Sequence, residues 1–218
     1  MVRDKFHEQM DDIKYEVITL GELTKKCVKL SVDSLKNQDE AMARSVEKFE
    51  EESDQRNLKI DDRCIKLIAL QQPVARDLRF ISSMIKISDN YERICDLTLS
   101  IAVIAIKSAK KPLLKPLVDI PQMADLICEM INIDNAAIGD WKHEGLKKEL
   151  EGKDDIIDSL YDQIYRELLI FMIKDPKTID DATDLLFTAR YLERIGDIAA
   201  KTGALVHFTI TGERIWIK

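Results

Sequence analysis

The sequence predicts an all-α protein built as two tandem, pseudo-symmetric three-helix bundles, six long helices in 218 residues. Three observations lead there. Glycine (7) and proline (5) are scarce for a soluble domain, so turns are few and the elements between them long. Apolar residues recur at steps of three and four, the helical period. The second half also repeats the first at a nearly constant offset, the mark of a duplicated unit. Aromatics at 6% leave little for the aromatic-rich sheets of all-β folds.

The first helix is expected over 4–36, where Phe6, Met10, Ile13, Val17, Leu20, Leu23 and Cys27 step along one face. Asn37-Gln38-Asp39 makes the turn into a second helix over 39–70. Pro73 stops it, because the ring and the missing N–H do not fit a helix interior. A third helix is expected over 74–109. The stretch 111–121, with Pro112, Pro116 and Pro121, reads as a linker. Beyond it the pattern recurs, with helices over 122–142, 147–174 and 178–210 and a break at Asp175-Pro176. Residues 1–110 form the first repeat and 122–218 the second. Helices of thirty residues are about 45 Å long, so the bundles are elongated.

The repeat is visible residue by residue. Glu92-Arg93-Ile94-Cys95-Asp96 matches Glu193-Arg194-Ile195-Gly196-Asp197 at an offset of 101. Pro73 pairs with Pro176 at 103, and Ile60, Asp54 and Glu50 pair with Ile164, Asp158 and Asp154 at 104. The drift falls between helices, where deletions are tolerated.

Composition narrows the function. Apolar residues at 45% and charged residues at 33% fit neither a disordered chain nor a membrane-embedded one. A net charge of −7 lacks the cationic footprint of a nucleic-acid binder. The longest apolar run, from Leu97 to Ile106, is about half of what a bilayer span needs. The polar start, Met1 to His7, predicts no secretory signal. Cys27, Cys64, Cys95 and Cys128 are isolated and read as core residues in a reducing cytosol, so a cytoplasmic protein is expected.

Each repeat carries two acid-x-x-x-acid pairs: Glu50/Asp54 and Glu92/Asp96, then Asp154/Asp158 and Glu193/Asp197. A spacing of four puts both carboxylates on one helix face, about 6 Å apart along the axis. With 40 acids in the chain, chance alone supplies about seven such pairs, mostly on solvated faces. Two features lift these four above that background. They occupy equivalent places in both repeats, and Glu92 and Glu193 lie two turns from core-type residues (Ile85 and Leu99; Leu186 and Ala200). A carboxylate there must protonate, pair with a cation or bind a metal. Arg93 and Arg194 point about 100° away from the glutamates they follow, and could pair only between helices. All-carboxylate clusters suit hard or borderline cations such as magnesium, manganese or iron.

Ferritin-like di-metal enzymes need Glu-x-x-His, which is missing. Asp4-x-x-His7 and Asp140-x-x-His143 come nearest, and both are expected to face solvent. No phosphate loop, Ser/His/Asp set or HExxH is present. Two rivals to metal binding by a non-enzyme remain: a carboxylate-bridged di-metal enzyme, and a structural helical adaptor whose acids form interhelical ion pairs.

Two longer segments resemble a known family. Gln71-Gln-Pro-Val-Ala-Arg-Asp-Leu-Arg79 with Tyr91-Glu-Arg-Ile-Cys-Asp96 resembles the first-repeat signature of the PhoU family. Ala189-Arg-Tyr-Leu-Glu-Arg-Ile-Gly-Asp197, closing near Thr211-Gly-Glu213, resembles the second. The resemblance covers nearly the whole chain. It implies the paired three-helix fold and a non-enzymatic regulator of phosphate-specific transport and phosphate-starvation signalling. It also implies multinuclear clusters of iron, zinc, manganese or magnesium held by Glu50, Asp54, Glu92, Asp96, Asp154, Asp158, Glu193 and Asp197. The partners it implies are the ATPase subunit of a phosphate ABC transporter and a sensor histidine kinase. A homodimer, peripheral to the cytoplasmic membrane face, is implied too. This chain departs from the family pattern at Cys95 (usually Gly), Ser100 and Lys201 (commonly Asn), Ile198 (often His) and Asn57 (often an acid).

Overall fold

A computed structural model describes residues 2–142 and 144–217, and the side chains from residue 5 onward. Six helices account for most of them: α1 (Val2–Asn37), α2 (Glu40–Gln71), α3 (Ala75–Ser108), α4 (Asp119–Asp140), α5 (Leu146–Lys174) and α6 (Ile179–Thr211). The expected breaks are where the helices end. Asp39 caps α2, its carboxylate accepting from the Met42 N–H at 2.9 Å. Gln72 adopts a left-handed φ of 48° before Pro73, and Gly212 closes α6 at φ 82°. Asp175 accepts from the Lys177 N–H at 3.1 Å and starts a single 3-10 turn at Pro176 before α6.

The linker is shorter than expected. α4 begins at Asp119, not near residue 122, because Pro121 falls in its first turn, where its missing N–H costs nothing. Burial of Leu117 and Ile120 draws the linker's end into the core. Lys115 sits nearby, bonded to Glu167.

Within each half the three helices run up, down and up, and the two halves lie side by side. α1, α3, α6 and α4 surround a common core, with α2 packed on α1 and α3, and α5 on α4 and α6. Across the join the halves run antiparallel. Lys29 meets Asp125 while Lys25 meets Asn132, and Lys107 meets Asp184 while Asn90 meets Thr202. Every helix turns aliphatic residues into the core, and all four cysteines are buried and free, as the sequence predicts. No helix among the described residues is long and apolar enough to cross a membrane. His7 is exposed, with its ring edge-on to Phe6; the side chain of Asp4 and all of His143 lie outside the described residues.

The join also holds polar groups. The Tyr91 hydroxyl, from α3, donates to Asn135 Oδ1 on α4 at 2.9 Å, and the Asn135 amide donates to Ile18 O (3.3 Å) and Glu22 Oε1 (3.1 Å) on α1. α1 comes this close only because residue 21 is glycine: a Cβ there would lie 2.4 Å from Asn135 Oδ1. Gly21→Ala is therefore expected to cost about 1–3 kcal/mol of stability, read from urea denaturation. An unchanged midpoint would mean that the amide swings aside freely and ties nothing together.

Candidate metal centre

The centre is assembled where the second and third helices of a half face each other. α2 turns Glu50 and Asp54 toward α3, and α3 returns Glu92 and Asp96. Ligand oxygens of Glu50, Asp54 and Asp96 all lie within 4.8 Å of one another, the one such convergence among the described residues. Glu92 stands one turn before Asp96 and feels the charges of Asp96, Asp54 and Asp89. Burial, then Asp54 and Asp96, push the Glu50 carboxyl from 4.5 to about 7. Burial, then Asp96 and Asp54, push Glu92 equally to about 7. Asp54 Oδ1 is sealed from solvent without a hydrogen-bond partner. Among the described residues no ion pair reaches Glu50, Asp54, Glu92 or Asp96; the neighbouring Arg56 pairs with Glu52 instead, at 2.6 Å.

In the second half α5 supplies Asp154 and Asp158 and α6 supplies Glu193 and Asp197. Asp154 is buried, 4% exposed, and burial with the charges of Asp158 and Asp197 lifts its carboxyl from 3.8 to about 6. Burial also raises Asp158, helped by Asp197, and it raises Glu193 against the pull of Arg190. Glu193 Oε1 accepts from Arg190 Nη1 at 2.6 Å while its Oε2 is sealed and unpartnered. Asp197 accepts from Lys201 Nζ at 3.1 Å. The four acids share one electrostatic neighbourhood, but no three of them converge as the first-half trio does.

The alternative of an interhelical pairing by Arg93 and Arg194 does not occur: neither makes an ion pair among the described residues. The cations that act are Arg190 and Lys201, one turn away on α6. The sequence reading missed Arg190. Its signal was there: at an offset of 101 it replaces Asp89, a reversal of charge beside the repeated motif. The departures from the family pattern also find places. Cys95 is buried and directs its thiol to Thr24 Oγ1 on α1 (3.6 Å). Its counterpart Gly196 leaves no such room, since a Cβ there would lie 3.1 Å from Ile157 Cδ1 and 3.5 Å from Asp154 Oδ1. Ile198 packs in the core, and Asn57 donates to Asp89 at 3.2 Å.

The residues fit a cation. Every donor is a carboxylate oxygen, burial and mutual repulsion raise the carboxyls of several of the acids, and Asp54 Oδ1 and Glu193 Oε2 make no hydrogen bond among the described residues. Glu50, Asp54, Glu92 and Asp96 would hold metal in the first half, and Asp154, Asp158, Glu193 and Asp197 in the second. Such a donor set suits manganese, iron, magnesium or zinc rather than a thiolate-seeking ion.

Fold and site together define a class: a tandem-repeat helical bundle with one carboxylate cluster between the second and third helices of each half. The PhoU domain profile matches this chain twice, over residues 17–105 and 120–206. The chain belongs to the PhoU family. A relative from Aquifex aeolicus, a phosphate-specific transport system accessory protein PhoU homolog, is 36% identical over 87% of this chain and 86% of its own. A homolog of the same description from Methanothermobacter thermautotrophicus is 34% identical over 96% and 95%. The crystal structure of PhoU from Pseudomonas aeruginosa superposes with a TM-score of 0.90 at 27% identity, covering 95% of this chain and all of that one.

Proposed function

We propose that this protein is a non-enzymatic, cytoplasmic accessory regulator of phosphate uptake and phosphate-starvation signalling, and that metal bound at its two carboxylate clusters shapes the surface it presents to partners. The accessory role rests on family membership and on what the relatives are named for. The metal rests on one observation, the convergence of Glu50, Asp54 and Asp96 without any cation of the chain to neutralise them. A bound cation supplies the missing positive charge and open positions that an anion such as phosphate can occupy. The chain's own residues do the rest. α2 and α3 carry opposed acids that repel when bare, so neutralising them sets how closely the two helices lie. The partners in this reading are the ATPase subunit of a phosphate ABC transporter and a sensor histidine kinase, met by a homodimer at the membrane's inner face.

The test is elemental analysis of protein purified without chelator or affinity metal, beside a Glu92→Gln/Glu193→Gln variant. Several equivalents of one metal are expected in the wild type, largely lost in the variant. No metal in either, with equal melting temperatures, would sink the site. Pull-down of the transporter's ATPase subunit from the native membrane is expected with the wild type. The rival reading of a structural adaptor needs ion pairs between helices; the pairs of Arg190 with Glu193 and of Lys201 with Asp197 both lie within α6, and the first half has no such cation.

A further inference from the structure

We infer that the two clusters are unequal by construction: the first half takes its cation directly, whereas the second is guarded by two cations of the chain that metal must displace. This inference rests on the metal-binding reading above. Superposing the repeats by sequence offset shows how the inequality is built. On α3 the series is Asp89, Glu92, Asp96 and Ser100; on α6 the same positions hold Arg190, Glu193, Asp197 and Lys201. With Glu50 and Asp54 added, the first cluster has five acids and no cation. With Asp154 and Asp158 added, the second has four acids and two cations.

The structure shows that both exchanges reach the ligand positions. In the first half the rim contact is Asn57 Nδ2 to Asp89 Oδ1, at 3.2 Å, which adds a negative charge beside Glu92. The equivalent contact in the second half is Arg190 over the ring of Tyr161, 5.8 Å from its centroid, and Tyr161 is the counterpart of Asn57. From that platform the guanidinium reaches Glu193 Oε1. Ser100 leaves Asp96 without an ion pair, whereas Lys201 holds Asp197 at 3.1 Å. Three ligand atoms gather in the first half, and none of the second-half acids joins such a group among the described residues.

Lys201 and Arg190 are exposed, with half or more of each side chain in solvent, so each pair is weak and breakable. They set an order of filling and do not block the second cluster. A divalent ion a few ångströms from two extra cations, and from one fewer acid, is expected to bind at least about tenfold more weakly even with solvent screening. The protein then has a second cluster that loads only when metal is plentiful.

The experiment is a Mn²⁺ titration of the full chain followed by electron paramagnetic resonance and native mass spectrometry. Wild type is expected to fill in two steps, the tight one lost in Asp54→Asn and the weak one lost in Asp158→Asn. Arg190→Asp/Lys201→Ser, which places first-half residues in the second half, is expected to bring the two steps together. The reciprocal Asp89→Arg/Ser100→Lys is expected to weaken the tight step, and keeps the test decisive if the first double variant fails to fold. Two steps of equal affinity in wild type, or a weak step unmoved in a folded Arg190→Asp/Lys201→Ser protein, would overturn the guarded cluster while leaving metal binding intact. No Mn²⁺ taken up by wild type under any condition would remove metal binding itself, and this inference with it.

Discussion

Metal-free protein is expected to melt at a lower temperature at pH 8 than at pH 5, and Mn²⁺ is expected to reverse the order. The carboxyls of Glu50 and Glu92 move from 4.5 in the unfolded chain to about 7 when folded, and Asp154 from 3.8 to about 6. A raised folded value means that the folded protein keeps protons the unfolded chain has released. Stability is therefore greatest below the unfolded values and is lost as pH rises from about 4 through about 7. The cause is burial, which disfavours the charged carboxylates, reinforced by repulsion among acids that share a cleft. Metal works in the opposite direction. It needs the carboxylates ionised, so it binds more tightly as pH rises, and it stabilises only the folded state. At a hundred times its dissociation constant the gain is about 2.7 kcal/mol. Melting curves at pH 5 and pH 8, with Mn²⁺ and then with EDTA, decide the matter. Glu50→Gln/Glu92→Gln should flatten the metal-free pH dependence and abolish the Mn²⁺ gain. Stability that rises with pH in the metal-free wild type would contradict the electrostatic account.

Asp134→Asn is expected to stabilise the protein at neutral and alkaline pH, by an amount that grows with each pH unit. Asp134 lies on α4 at the join between the halves, fully buried, with neither carboxyl oxygen hydrogen-bonded among the described residues. No ion pair reaches it among the described residues. Gly203 of α6 lies against Oδ1, Leu150 of α5 lies against Gly203, and Tyr91 of α3 feels its charge. Burial pushes its carboxyl well above the ordinary value, so the folded protein keeps this proton to higher pH than the unfolded chain does. The unfolded chain gives up that proton above about pH 4. Each further pH unit over which the folded state retains it costs about 1.4 kcal/mol. Asparagine has nearly the same shape and nothing to ionise, so the stability difference between variant and wild type should widen as pH rises. Urea denaturation at pH 5, 6.5 and 8 measures it. Parallel curves would show that Asp134 already has a partner.

The acids of the candidate centre stand out in the sequence because the chain carries them twice. A single Glu-x-x-x-Asp is commonplace in so acidic a sequence, but the same pair at the same place in two repeats is not. The helix boundaries were legible because Pro73, Asp39 and Asp175 act through local geometry. α4 was misplaced by three residues for a reason sequence alone handles badly. Proline interrupts a helix in its interior and is welcome in its first turn, and only the burial of Leu117 and Ile120 shows which applies at Pro121. Asp134 gave no signal at all, standing as one acid in an ordinary amphipathic pattern.

The sequence by itself determined the helices, the duplication, the absence of a bilayer-spanning segment and the identity of the eight paired acids. Each of those depends on spacing along one helix or on comparison of the chain with itself. Only the tertiary structure decided which acids converge, that Arg93 and Arg194 make no ion pair among the described residues, and that Asp134 is sealed at the join. Those depend on how far apart two helices lie and how each is turned about its axis. Packing across the whole core sets both, through contacts such as Gly21 against Asn135 and Gly196 against Ile157 that join residues distant in sequence.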